Sequence, residues 1–161
     1  YEISACLVGS EMCIRDRGLT DQEDGEANTQ KMRESGIAAN IPILEYCKDG
    51  WYLPARNEME AVFNAYNGGP SQSIGLKPDA IKQEEKDARA AWDKILTDNG
   101  GDVMNVKADN TAGDSYFTST EADDASKVFY VRFGQWNPGL TGAKYAKSPA
   151  RYVRCIRKIS K

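Results

Sequence analysis

The chain predicts an α+β fold, because its helical patterns come first and its strand patterns come later rather than alternating as βαβ units. Met59, Val62, Phe63 and Tyr66 fall at i, i+3, i+4 and i+7, the apolar face of a helix over residues 58–66. Residues 127–133 alternate instead, with Phe129, Val131 and Phe133 on one face and Val128, Tyr130 and Arg132 on the other. No internal repeat interrupts that order.

Residues 1–19 differ from the rest. Their core, CLVGSEMCIRDR, resembles a translated sequencing adaptor, so they are expected to be a non-native leader and are left out of the fold. The competing reading of Ile3-Ser4-Ala5-Cys6 as a lipobox lacks a charged and an apolar region before it. Residues 20–161 are expected to form a single domain, with the natural start and any signal peptide missing.

An acidic lead-in, residues 21–26, precedes Asn28-Thr29, which can cap a short helix over residues 30–34 ended by Gly36. Asn40-Ile41-Pro42 marks a second start, with Ile41, Leu44 and Cys47 facing inward. Asp49-Gly50 then predicts a turn delivering the chain to Trp51-Tyr52-Leu53-Pro54. Pro54 holds Leu53 in extended backbone, so strand-like structure stops there. Glu58 and Glu60 suit the positive end of the next helix dipole. A Gly/Pro-rich loop over residues 67–77 leads to a long helix, residues 78–98, with a stripe of Ile81, Ala88, Trp92 and Ile95 ended by Asn99-Gly100-Gly101. Residues 116–120 read as a short strand, residues 135–149 as irregular, and residues 152–159 as the last strand.

Of the 161 residues, 40% are hydrophobic and 28% charged, an ordinary globular composition. The net charge of -3 argues against a general nucleic-acid binder. The charge is uneven: residues 144–161 carry seven Lys/Arg and no Asp/Glu. With no histidine, His-based triads, imidazole bases and His-containing zinc sites are excluded. No apolar run approaches the roughly 20 residues that span a bilayer. The cysteines are Cys6, Cys13, Cys47 and Cys155, without a CxxC pair, so no cysteine metal site is indicated. Their pairing stays open at this point.

Five stretches taken in order resemble a known family: DGEANTQKM (24–32), AANIPILEYCKDGWYLPARNEMEAVFN (38–64), YFTSTE (116–121), VFYVRFG (128–134) and YVRCIRKI (152–159). Together they are similar to the Lcl C-terminal family, a bacterial domain related to the Fibrobacter major paralogous domain. Phe117 stands where that family usually has Trp, and Ala55 where a small hydroxyl residue usually follows WYLP. The Ala55 change halves a Ser-x-x-Glu capping box and leaves Glu58 its dipole role. The resemblance implies a C-type-lectin-like fold: helices packed on a small twisted antiparallel sheet beside a long irregular loop region. It also implies a disulfide from Cys47 to Cys155, worth about 4–5 kcal/mol in the chain-entropy model.

Within that frame Trp51, Leu53, Pro54, Phe63, Trp92 and Phe129 are assigned to the core, as are Tyr116 and Phe117. Ser119, Thr120 and Glu121 are assigned to a structural network that satisfies loop backbone groups. Glu121, Asp123 and Asp124 lack the spacing of an EF-hand loop. Trp136-Asn137 is followed by Pro138 where calcium lectins have Asp, and there is no EPN, so no metal or cofactor is expected. The best ligand-facing candidates are therefore Gln135, Trp136, Asn137, Lys144, Tyr145 and Lys147. The aromatics offer flat faces for sugars or partner rings, the amides paired donors and acceptors, and the lysines positive charge.

The leading expectation is a non-catalytic, adhesin-like domain at the extracellular surface of a bacterium, binding a surface glycan or protein. One alternative is an oxidase related to formylglycine-generating enzymes, which would need Cys47 and Cys155 as a reactive copper-binding pair. Another is the variable protein of a diversity-generating retroelement, which would favour clustered Asn and Tyr near the C-terminus.

Overall fold

The computed structural model describes residues 18–35, 38, 41, 43–69, 82–104, 115–122, 128–133, 139–141 and 152–159. Helix α1, Gly25–Glu34, begins where Asp21 Oδ1 accepts the N–H groups of Glu23 and Asp24, at 2.8 and 2.9 Å. Those two N–H groups hold the Asp21 carboxyl below its ordinary range. Asp24 is the N-cap and accepts from Ala27 N–H at 3.0 Å. The expected cap at Asn28-Thr29 is thereby corrected, since both residues lie buried inside α1. They act over long range instead. Thr29 Oγ1 accepts from Leu53 N–H at 3.0 Å, and Asn28 Nδ2 donates to Asp21 O at 2.7 Å and Ser119 Oγ at 3.3 Å.

Gly25 makes this approach possible. A Cβ there would lie 2.4 Å from both Ala55 N and Leu53 O.

Helix α2, Ile43–Tyr46, is one turn with Ile43 buried and Leu44 half-buried; Ile41 before it and Cys47 after it are buried too. Asp49 and Gly50 both take positive φ, 56° and 83°, and Trp51 N–H closes the turn on Lys48 O at 3.0 Å. Tyr52 then exchanges two hydrogen bonds with Ile156, 2.8 and 2.9 Å, as an isolated antiparallel bridge. Leu53 and Pro54 are buried, whereas Trp51, expected in the core, is 40% exposed. Trp51 leaves the tight turn at the rim of the molecule, so its ring packs under Arg157 instead of inward.

Helix α3, Arg56–Tyr66, starts slightly earlier than its periodicity indicates and buries Met59, Phe63 and Tyr66 as that periodicity requires. Helix α4, Gln83–Asp98, sets Trp92 and Leu96 against the same core. Ile81 lies outside the described residues, and Ile95 is corrected to the surface, 58% exposed. The inward face carries Glu85, Arg89, Trp92 and Leu96, at i, i+4, i+7 and i+11, and Ile95 points roughly 100° away from Leu96. Gly100, with φ +75°, ends the helix as Gly101 N–H bonds Leu96 O at 2.8 Å.

Among the described residues three strands form one antiparallel sheet in the order β1 (Ser115–Glu121), β2 (Val128–Arg132), β3 (Gly139–Thr141). The described chain is thus α+β. Tyr116 pairs with Val131 and Phe117 with Tyr130, and the register shifts before Glu121 pairs with Val128. β3 corrects the reading of its stretch as irregular.

The outer edge of β1 explains why residues 152–159 make isolated bridges and not a last strand. Phe117, Ser119 and Glu121 direct their N–H groups to Tyr152 O, Pro54 O and Leu19 O, at 3.0, 2.8 and 2.8 Å. Three separate segments share that edge, so among the described residues the C-terminal segment pairs with β1 at the Tyr116–Tyr152 bridge alone.

Among the described residues the core forms two clusters. One gathers Leu19, Met32, Ile41, Ile43, Cys47 and Leu53, with Phe117 and Cys155 packed against it; Leu19, expected in the leader outside the fold, is thereby corrected to a buried member of the core. Within it Cys47 and Cys155 form a disulfide, 108 residues apart in sequence and 5.4 Å between Cα atoms. The other gathers Met59, Phe63, Tyr66, Met104, Tyr116, Val131 and Phe133. The Phe133 ring meets Phe63, Tyr66 and Tyr116 edge-on with centroids 5.3, 5.8 and 5.1 Å away. Among the described residues no helix is long and apolar enough to cross a membrane.

Candidate functional site

Gln135, Trp136, Asn137, Lys144, Tyr145 and Lys147, the residues expected to face a ligand, lie outside the described residues. The described polar residues gather in three places.

The first is a buried hub where the lead-in, α1, the turn before α3 and β1 meet. Helix α3 has Ala55 at its N-cap, which offers no side-chain acceptor. Its first N–H groups are satisfied from elsewhere: Arg56 N–H donates to Thr120 Oγ1 at 3.0 Å, and Asn57 N–H to Gln22 O at 2.9 Å. Thr120 Oγ1 in turn donates to Asp21 O at 2.9 Å. Glu58 does more than meet the dipole, which corrects the expectation from the half-lost capping box. Its Oε2 accepts from Ala55 N–H at 2.8 Å and Gly25 N–H at 3.0 Å, and its Oε1 from Tyr52 O–H at 3.0 Å. Glu121 Oε2 accepts from Leu19 N–H at 3.1 Å, and Ser119 is fully buried beside Asn28. These groups neutralise backbone donors that would otherwise be orphaned inside. A carboxylate accepting backbone N–H groups is held in place by charge-assisted hydrogen bonds.

The second lies between α3 and α4. Arg89, buried, donates to Asn67 Oδ1 at 2.7 Å and lies over the Tyr66 ring, 5.6 Å from its centroid. Tyr66 O–H donates to Asp93 Oδ2 at 3.4 Å, and Asp93 Oδ1 accepts from Met104 N–H at 3.2 Å. Burial, then the Asp93 charge, pushes the Tyr66 phenol well up, and burial lowers Arg89 against the pull of Tyr66, Glu85 and Asp93. The set clamps two helices together.

The third is at the surface, on the ribbon made by residues 51–53 and 155–158. Arg157 sits 5.0 Å from the Trp51 ring centroid. On the ribbon's other face Lys158 pairs with Glu26 at 2.9 Å and Asp24 at 3.6 Å, and lies 5.9 Å from the Tyr52 ring. Its hydrogen bond to Glu26 raises the Lys158 ammonium pKa. Burial and the Glu58 charge push Tyr52 up to about 12. Sequence reasoning missed the Trp51–Arg157 pair, because it depends on residues 51 and 157 lying opposite each other across a single bridge. The only local sign was the basic run itself.

Among the described residues no group of three or more Cys, Asp or Glu is placed to hold a metal ion. No protein-family model, curated protein or solved structure matches the chain.

Proposed function

We propose that this chain is a non-catalytic recognition domain of an exported bacterial surface protein, with a C-type-lectin-like arrangement of its α+β elements. Its ligand is a surface glycan or protein, and the seat is the loop carrying Gln135, Trp136, Asn137, Lys144, Tyr145 and Lys147. One observation carries the reading: the polar side chains of the motif stretches are engaged in holding the scaffold. Asn28, Thr29, Glu58, Thr120 and Glu121 each bond backbone groups of other segments. A fold that fixes its polar residues in this way leaves recognition to its loops.

The Cys47–Cys155 disulfide supports export, since such bonds persist in oxidising compartments. It also engages both sulfurs that the oxidase alternative needs free. The similarity to the Lcl C-terminal family supports the fold assignment and the surface location. The test is a glycan array together with pull-down from bacterial or host surface extracts, using oxidised protein. Wild type should retain a ligand that Trp136→Ala and Tyr145→Ala lose. Capture unchanged in both variants would remove the loop from the proposal.

A further inference from the structure

We propose that the outer edge of the C-terminal segment, residues 153–159, docks an extended acidic peptide of a protein partner by strand addition, anchored on Arg157 and seated on Trp51 and Ile159. None of these residues belongs to the stretch 135–147.

The segment uses one edge already. Tyr152 O accepts from Phe117 N–H at 3.0 Å, and Ile156 exchanges bonds of 2.8 and 2.9 Å with Tyr52. In extended backbone, successive residues direct their N–H and C=O groups to opposite edges. The groups of Cys155, Arg157 and Ile159 therefore face away from Tyr52. None of their N–H groups donates to a backbone or side-chain acceptor among the described residues.

The side chains beside this edge are open as well. Trp51 is 40% exposed and Ile159 84% exposed. Arg157 lies over Trp51 and forms no ion pair among the described residues, whereas Lys158 on the other face is neutralised by Glu26 and Asp24. One face of the ribbon is thus balanced within the chain, and the other presents a cation beside two apolar groups. Strand addition uses main-chain bonds for affinity and alternate side chains for choice of partner. The complement here is a carboxylate opposite Arg157 with an apolar residue next to it on the same face.

Charge also selects against a second copy. Residues 144–161 carry seven Lys/Arg and no Asp/Glu, so two such edges repel each other.

The test titrates the oxidised full chain with a short peptide of alternating glutamate and valine, with a lysine–valine peptide as control. The readout is amide hydrogen exchange. The glutamate peptide should bind and protect the amides of Cys155, Arg157 and Ile159, and the lysine peptide should not. Arg157→Glu should weaken binding at least about tenfold, the order expected for losing one interfacial charge contact. Trp51→Ala should weaken it as well, while Trp136→Ala leaves it intact. Because Arg157 is exposed, its variant should keep the wild-type melting temperature. Equal binding by Arg157→Glu, or no protection with the glutamate peptide, would overturn the proposal. So would protection that grows with protein concentration alone, or binding of heparin in place of the peptide.

Discussion

Glu58 holds Ala55, Gly25 and Tyr52 through one carboxylate, so it joins α1, the turn before α3 and α3 itself. Glu58→Gln keeps the shape but turns one acceptor into a donor facing donors. It should cost about 1–3 kcal/mol in urea unfolding, the range for leaving buried partners unsatisfied. Gly25→Ala tests the close approach beside it. Alanine is ordinarily the better helix residue by about 1 kcal/mol, yet here its Cβ would meet backbone atoms at 2.4 Å. Crowding should win, with a loss of about 1–3 kcal/mol on the scale of overpacked cores. Thr120→Ala removes the acceptor for Arg56 N–H and should cost about 1–2 kcal/mol, as a lost cap does, with recovery in Thr120→Ser.

At this scale the sequence was partly legible. Ser119-Thr120-Glu121 could be assigned to a structural network from residue type and position. That Thr120 caps a helix lying far away in sequence could not. Neither could the roles of Asn28 and Thr29, whose local preference is for caps and whose partners are supplied by tertiary structure.

Among the elements, α3 was the most legible, because a full apolar face repeats along it. β1 and β2 followed from alternation and aromatic content. β3 was not legible: Gly139–Thr141 is too short to show a period, and its pairing with β2 defines it. The C-terminal segment was misread for the opposite reason. Its composition suits a strand, but the edge it would join is shared with Pro54 and Leu19. This segment is held by the disulfide, two bridges, the Lys158 ion pairs with Glu26 and Asp24, and Arg154, whose guanidinium donates to the Asp102 and Val103 carbonyls at 3.1 and 3.2 Å. Cys155→Ser should therefore lower stability by about 4–5 kcal/mol, the chain-entropy value for a loop of this length. Amide exchange should show Tyr52, Phe117 and Ile156 losing protection before the α3 amides do. Uniform loss across the chain would mean that the segment is an integral part of one cooperative unit.

For the whole molecule, the absence of histidine removes the side chain that ordinarily titrates near neutrality, which leaves the acid range, where Asp21 is lowered, and the alkaline range, where two phenols are raised. Tyr52 is raised from 10.0 to about 12 by burial and Glu58, and Tyr66 is raised further in the same direction. A raised phenol favours the fold in its neutral form. That contribution is complete below pH 10 and lost as pH rises through the folded value. Stability should hold to about pH 10 and fall toward pH 12, and Tyr52→Phe should flatten part of that decline.

The central claim is that the motif residues build the scaffold while the loop at residues 135–147 does the recognising. Its most direct test measures ligand capture and melting temperature together for wild type, Thr120→Ala and the Trp136→Ala/Tyr145→Ala pair. The account predicts that the loop pair loses capture at an unchanged melting temperature, while Thr120→Ala melts lower and, kept folded, still captures. A loop pair that binds as wild type does, or a folded Thr120→Ala protein that fails to bind, would contradict it.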